Sequence, residues 1–299
     1  MYRVKVLVST YNGEKYLKEQ LDSILSQTNV LVDILVRDDG STDNTINILK
    51  EYEEKELLHW YRGKNIKPAK SFLDLMRTTD KADYYAFSDQ DDFWLNDKLQ
   101  IAIEDLNKEP SDMPLLYYGS PRIVDEQLNP LQYTVKDTML DFNSMLINSN
   151  ATGCTMVFNN CLLNLINQTS PNYIAMHDAW LHKVCMVSGG KLVYDDDVHI
   201  LYRQHSNNVI GISNSKVKKI IRHFYSIKQR ACVRSKTIAS LIECYGSYME
   251  DEQLKKALLV AGYKKSLKNT FLLFTNKEIR TTNKRRNFLF KCAVLLRVF

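Results

Sequence analysis

A chain of 299 residues that is 44% hydrophobic and 10% aromatic, with only 10 Gly and 6 Pro, has the composition of a folded protein. Disordered, collagenous and low-complexity classes are excluded, and the length allows two ordinary domains or one enlarged α/β domain with an appendage. The formal net charge of +5 hides an asymmetry: residues 1–213 carry 20 Lys and Arg against 30 Asp and Glu, a net −10, whereas residues 214–299 carry 20 against 5, a net +15.

The six cysteines (Cys154, Cys161, Cys185, Cys232, Cys244 and Cys292) form no CxxC pair and no Cys/His ligand spacing. They read as reduced core thiols in a cytosolic protein, with neither disulfides nor structural zinc. The chain opens almost at once on an apolar run, Val4 to Val8, without the pattern of an export leader. No uncharged apolar stretch reaches the roughly 18 to 20 residues of a spanning helix, the stretch 293–299 being short and interrupted by Arg297.

In chain order, strand-like runs at 3–9, 32–37, 57–62, 84–88 and 115–120 alternate with segments of helical periodicity. The segment 13–27 places Leu17, Leu21, Ile24 and Leu25 on one helical face, and Ser41 is expected to N-cap a helix through Ile46, Leu49 and Tyr52. This alternation predicts a mostly parallel central sheet with helices on both faces, and ligands beyond the carboxyl ends of its strands. Further strands are expected at 154–158, 191–194 and 198–203, and a helix at 179–187. From about Asn214 strands give way to helix-like segments at 216–246, 251–275 and 284–298. The expected division is therefore 1–213, in two halves meeting near residue 120, followed by a basic helical appendage over 214–299.

The carboxylates lie where such a sheet would hold ligands. Asp38 and Asp39 follow one strand, and Asp89, Asp91 and Asp92 follow another. For the first pair, taken alone, AspGly turn chemistry followed by ordinary helix capping is the better account. For the second, crowded like charges at one edge ask for a divalent cation between them.

The segments ValLeuValSerThrTyrAsnGly (6–13), ArgAspAspGlySerThrAspAsnThr (37–45) and SerAspGlnAspAspPheTrp (88–94) resemble family 2 glycosyltransferases of the GT-A fold. MetHisAspAlaTrpLeu (176–181) and TyrArgGlnHisSerAsnAsnValIleGly (202–211) are similar to a bacterial rhamnosyltransferase subgroup that builds cell-wall and capsular polysaccharides. The resemblance covers about the first 210 residues, and implies a nucleotide-binding half to about 120 and an acceptor half beyond it. It implies an inverting transferase that moves a sugar, with dTDP-rhamnose or a UDP-sugar as donor, to a lipid-linked glycan acceptor. Other hexosyl and N-acetylhexosaminyl transfers remain open alternatives.

By the same resemblance, Thr10, Tyr11, Asn12, Asp39, Asp89, Gln90 and Arg203 would contact the nucleotide or donor. Asp91, with Asp89 and His205, would hold Mg²⁺ or Mn²⁺ on the diphosphate, where neutralising the leaving group has most to gain. Asp178 would be the catalytic base, removing the acceptor hydroxyl proton; its structural alternative is a helix N-cap. His205 has the alternative of a hydrogen-bonded strand-end histidine. Gly153, in GlyCysThrMet, would let backbone approach the sugars, or simply turn into a buried strand. His177 is a candidate to orient Asp178 or meet acceptor, and Trp94 and Trp180 to stack on sugar rings, with core packing as the alternative use of tryptophan.

In the tail, Lys216, Lys218, Lys219, Arg222, Lys228 and Arg230 stand among apolar residues such as Ile220, Ile221 and Phe224, and LysArgArg (284–286) precedes PheLeuPhe (288–290). Two readings stand level: interfacial helices on the anionic cytoplasmic leaflet, or helices packed on the catalytic domain with solvated lysines. Nucleic acid is disfavoured, since no recognition motif accompanies the charge. A nucleotidyltransferase is disfavoured by the absence of GxxxxGK[ST] and GxGxxG loops, and a non-catalytic scaffold by the joint presence of Asp89, Asp91 and Asp178.

Overall fold

The computed structural model describes residues 1–131, 141–148, 151–205 and 232–299. It separates into two compact units: Met1–Thr138 with Ala151–Thr169 and Met176–His205, and Met139–Asn150 with Ser170–Ala175 and Ser206–Phe299.

The first unit is built on a seven-stranded sheet. Strands β1 (Tyr2–Thr10), β2 (Val30–Asp38), β3 (His59–Arg62) and β4 (Tyr84–Ser88) alternate with helices α1 (Leu17–Leu25), α2 (Thr45–Glu54) and α3 (Pro68–Thr78). After β5 (Phe93–Trp94) and α4 (Lys98–Leu106) come β6 (Leu115–Gly119), β7 (Arg122–Val124), β8 (Val157–Asn159), α6 (Asn160–Asn167), α7 (His177–Val187), β9 (Lys191–Asp195) and β10 (Ile200–Arg203); α5 (Phe142–Met145) belongs to the other unit.

The sheet order is β3-β2-β1-β4-β8-β6-β9, with parallel pairs except where β8 runs antiparallel to β4 and β6. The expected mostly parallel sheet is present. Val4, Val6, Leu7 and Val8 are all fully buried, as continuous apolar runs in a covered parallel strand should be. Register then decides where function can lie. Thr10 pairs with Asp38 across β1 and β2, and Val8 with Ser88 across β1 and β4, so three strands end at one edge. That edge receives residues 11–13, Asp39 and the acids 89–92. A second sheet, β5-β10-β7, sets β10 beside Phe93 and Trp94.

Local details differ from the sequence expectations for identifiable reasons. Helix α1 starts at Leu17 because residues 13–16 are spent on a turn, the Tyr16 and Leu17 amides donating to Gly13 O. Ser41 does not cap α2, whose N-cap is Asn44, because the Ser41 hydroxyl donates to Asp38 and accepts the Asn12 amide at 2.9 Å. The strand expected from 154 begins at Val157, with residues 153–155 in a single 3₁₀ turn.

In the second unit the described helices are α5, α8 (Val233–Tyr245), α9 (Asp251–Gly262), α10 (Leu267–Thr275) and α11 (Lys284–Leu295). The segment expected to be one helix over 251–275 is two, since a 3₁₀ turn at Tyr263–Lys265 intervenes and Ser266 starts a new helix by accepting the Asn269 amide at 3.0 Å. The basic residues at 216–230 lie outside the described residues. Among the described residues, no helix is long and apolar enough to cross a membrane.

Candidate active site

The loops after β1 and β2 are sewn together by side chains that also satisfy exposed amides. Asn12, in a left-handed conformation with φ +50°, accepts the Thr42 amide on its side chain at 2.9 Å, and the Gly13 amide donates to Thr45 Oγ1 at 2.8 Å. Gln90 reaches in from the loop after β4: its Oε1 accepts from Thr10 Oγ1 at 2.7 Å and from the Tyr11 amide at 2.8 Å, and its Nε2 donates to Tyr11 O at 3.2 Å. A Cβ on Gly13 would lie 2.5 Å from Gln90 Oε1, so glycine is required for this approach. Thr10, Tyr11, Asn12 and Gln90 therefore form one connected wall, with the Tyr11 ring exposed.

The two aspartates at the end of β2 are saturated differently. Asp38 is fully buried and accepts the Gly40 and Ser41 amides, each at 2.9 Å, and the Ser41 hydroxyl. Asp39 is ion-paired through one oxygen with the buried Arg37 guanidinium, while the other accepts the Ile66 amide at 3.3 Å. Asp38 is a brace for the turn, and Asp39 is presented at the strand edge by Arg37.

The acids after β4 are compensated less: Asp91 meets His205 and Asp92 accepts one backbone amide, while burial and the charges of neighbouring acids raise Asp89 and Asp92. Asp89 keeps some surface, but protein excludes enough water that burial, then the charges of Asp91 and Asp178, push its carboxyl up to about 7. Beneath it Asp92 is fully buried, and burial followed by the Asp91 and Asp89 charges raises its carboxyl well above the usual range. Asp91 points to His205, whose Nε2 is 2.8 Å from Asp91 Oδ2, and the imidazole lies against Tyr16 in a tilted arrangement with ring centroids 5.0 Å apart.

This donor set fits a hard divalent cation. A carboxylate and an imidazole nitrogen already face each other at 2.8 Å, and a second carboxyl beside them is held at an unfavourable charge density. Oxygens of Asp89 and Asp92 and Cys154 Sγ also lie within 4.8 Å of one another. Burial raises the Cys154 thiol well above its ordinary range, so it stays protonated and is a poor ligand for Mg²⁺ or Mn²⁺. The residues offering ligand atoms to a divalent cation are therefore Asp91 with His205, and Asp89, on which the Asp91 charge acts.

Asp178 opens α7 and belongs to the same electrostatic environment, since its charge acts on Asp89. Burial raises its carboxyl to about 6, against hydrogen bonds from the Ala179 amide at 2.5 Å and from Gly153 backbone that pull it down. A carboxylate titrating there is ionised at neutral pH yet basic enough to take a proton. Gly153 matters sterically: a Cβ there would be 2.7 Å from His177 Nε2 and 3.3 Å from Asp178 Cβ.

Four sequence expectations are corrected. Arg203, expected on phosphate, is 2% exposed and turned inward: Nε donates to Asp91 O at 3.0 Å, Nη1 to Glu126 O, Nη2 pairs with Glu19, and the guanidinium lies 4.6 Å from the Tyr16 ring centroid. It holds the backbone of the acidic turn, and its own amide donates to Asp92 at 3.2 Å. His177 neither orients Asp178 nor faces an acceptor; its ring stacks on Phe72 at 3.9 Å and meets the edge of Phe87, and burial lowers it to about 3, leaving it neutral. Trp94 and Trp180 are fully buried and present no face to a sugar, because each follows a carboxylate at an element that turns straight into the core. Trp94 is covered instead by buried Lys98, with Nζ 3.7 Å from its ring centroid.

Sequence reading assigned no role to Glu19, Tyr16 or Glu126. Nothing local marks them, as Glu19 and Arg203 are 184 positions apart.

The description "Glycosyl transferase family 2" matches residues 5–173, a span that contains both aspartate clusters and ends short of Asp178, Arg203 and His205. The chain is 30% identical over 287 residues to the dTDP-rhamnosyl transferase RfbG of Shigella flexneri, covering 86% of this chain and 89% of that one. It is 23% identical over 228 residues to the UDP-Glc:alpha-D-GlcNAc-diphosphoundecaprenol beta-1,3-glucosyltransferase WfaP of Escherichia coli, covering 76% and 86%. In fold it is similar to the mannosyltransferase PcManGT from Pyrobaculum calidifontis in complex with GDP-Man and Mn²⁺, with a TM-score of 0.56 and 18% identity over 100% of this chain and 87% of that one. With more than half the chain matched by one family description and a relative alike along most of both proteins, the chain belongs to glycosyl transferase family 2 and has the GT-A fold.

Proposed function

We propose that this glycosyltransferase moves rhamnose, with inversion, from dTDP-rhamnose to a hydroxyl of a lipid-linked glycan at the cytoplasmic face of the membrane, in the synthesis of a cell-surface or capsular polysaccharide. The observation that carries the reading is the meeting of Asp89, Asp91, His205 and Asp178 at the edge where β1, β2 and β4 end.

Each chain residue then has a task. Thr10, Tyr11, Asn12 and Gln90 line the nucleoside side, with the exposed Tyr11 ring available to the base and Asp39 to an N–H of the pyrimidine. Asp89, Asp91 and His205 would hold Mg²⁺ or Mn²⁺, whose chemistry there would be to neutralise the charge of the departing diphosphate. Asp178 accepts the acceptor hydroxyl proton as that oxygen attacks the anomeric carbon from the face opposite the diphosphate, so one base and no enzyme nucleophile is needed. Gly153 keeps the wall beside Asp178 free of a side chain.

The rhamnosyl donor is favoured by the likeness to the dTDP-rhamnosyl transferase, and the lipid-linked acceptor by the diphosphoundecaprenol in the name of the glucosyltransferase relative. That second relative also supports a runner-up, transfer of glucose or another hexose from a UDP-sugar. Donor hydrolysis measured over dTDP-rhamnose, UDP-glucose, UDP-N-acetylglucosamine and GDP-mannose, with Mn²⁺ and after chelation, separates the readings. Release of dTDP at least ~10-fold faster than the other nucleotides, lost on chelation, is expected. Preferred UDP-sugar turnover would replace rhamnose, and inert donors throughout would sink the transferase reading.

A further inference from the structure

We propose that the outward faces of α10 and α11 form a docking surface for an anionic phospholipid bilayer. This deepens the reading of a membrane-borne acceptor and rests on it for the biological setting, while the surface itself is argued from the second unit's residues.

The amphipathic logic of α10 is inverted. Positions 267, 268, 271, 272 and 275 share one helical face by their spacing, and all are exposed. Three of them are the large apolar residues Leu267, Phe271 and Leu272, the first 76% exposed. The opposite face, with Thr270 and Leu273, is buried. On α11 the same arrangement recurs: Phe290 and Val294 face inward, whereas Phe288, Leu289 and Leu295 stay exposed, and Leu296 beyond them is 71% exposed. Exposed apolar residues scattered singly need no explanation, but two adjacent helices that each turn their large hydrophobics outward do.

The two helices are held to one another. Lys291 of α11 donates to the carbonyls of Leu273 at 3.2 Å, Asn276 at 2.7 Å and Phe274, all at the end of α10. The Asn287 side chain closes the connecting turn, accepting the Thr281 amide and donating to Thr281 O, each at 2.7 Å. Both outward faces therefore belong to one fixed pair.

Charge selects the occupant. Residues 262–299 contain ten Lys and Arg and a single acid, Glu278, which is already paired with Lys256 at 2.5 Å. Lys268 stands on the outer face of α10, and Lys284, Arg285 and Arg286 stand exposed beside Phe288. Cations around inserted aromatic and leucine side chains suit lipid phosphates above an acyl boundary. A second copy of this chain is disfavoured, because a self-complementary contact would bring the same cations together.

The test is co-sedimentation of the full chain with vesicles of phosphatidylcholine alone or mixed with phosphatidylglycerol. The wild-type protein is expected to partition onto the mixed vesicles and to be released by high salt. Phe271→Ser with Phe288→Ser should lower that partition ~10-fold or more. Lys268→Ser with Arg285→Ser should lower it on mixed vesicles by a similar factor. Donor hydrolysis in solution should be unchanged by either pair, which also reports that the variants are folded. Absence of wild-type adsorption, undiminished adsorption by both variants, a concentration-dependent dimer abolished by the phenylalanine changes, or tighter binding to RNA than to mixed vesicles would each overturn the proposal. Because adsorption is read without sugar transfer, its failure would leave the transferase reading standing, and inert donors would not affect it.

Discussion

Two aspartate clusters that look alike in the sequence, ArgAspAspGly after β2 and AspGlnAspAsp after β4, are electrostatic opposites in the structure. In the first the charge is answered within the protein: Asp38 is surrounded by backbone amides and a hydroxyl, and Asp39 is neutralised by Arg37, which leaves it acceptor capacity for a ligand. In the second, the charges acting on Asp89 are those of Asp91 and Asp178, and Arg203, the cation nearest in sequence to His205, gives its Nε to a main-chain carbonyl of the turn. A finished cluster shapes a loop, whereas an unfinished one calls for a ligand to complete it. The contrast is a physical criterion for telling a turn from a metal site when both are written with the same residues.

The sharpest test of that contrast substitutes within the unfinished cluster and at the base. Asp91→Asn is expected to abolish transfer, by ~10³-fold or more, and to weaken Mn²⁺-dependent nucleotide binding measured by calorimetry. Asp178→Asn should lower kcat by ~10²–10⁴-fold and leave nucleotide affinity intact. Equal loss of nucleotide binding in both variants would end the division between metal ligand and base.

A second effect follows from the raised carboxyls. Folding lifts Asp89 to about 7 and Asp178 to about 6, so the folded state holds these protons more tightly than the unfolded chain. Their contribution to stability is present in full below about pH 4 and is lost as pH rises through about 6 and 7. Thermal melts of the metal-free protein between pH 5 and 8 should show this loss, and Mn²⁺ should reverse it at the upper end. A metal-free midpoint that rises from pH 6 to pH 8, once other titrations are matched by the Asp89→Asn, Asp178→Asn variant, would contradict the assignment.

The smallest effect on chemistry is expected where the cluster is complete. Asp38→Asn leaves a buried amide facing N–H donors and should cost about 1–3 kcal/mol of stability in denaturant unfolding, with kcat within about threefold of wild type in the folded fraction. A variant as stable as wild type but inactive would move Asp38 from brace to participant.

The strand and helix alternation was readable because it depends on local periodicity, and the continuous apolar runs of β1 and β4 announce strands covered on both sides. The acids after those strands were readable for the same reason, since a strand's end is a local feature. Helix boundaries were less so: Ser41 has the residue type of a cap but is claimed by Asp38, a competition visible only when the two loops meet. The carboxylates stand at the strand ends where the strand pattern puts them, while the aromatic and cationic neighbours turn inward, because a buried carboxylate must meet donors or a cation and a tryptophan or arginine is equally at home inside.

The sequence by itself determined the fold class, the edge at which ligands would gather, and the acids that stand there, all of which follow from side-chain period and strand order. Only the tertiary structure decided that Arg203 props the acidic turn from within, that Trp94, Trp180 and His177 are packing residues, and that α10 and α11 turn apolar side chains outward. The reason is range: Arg203 meets Asp91 across 112 positions and Glu19 across 184, and no local pattern specifies which of several possible partners a long polar side chain will reach.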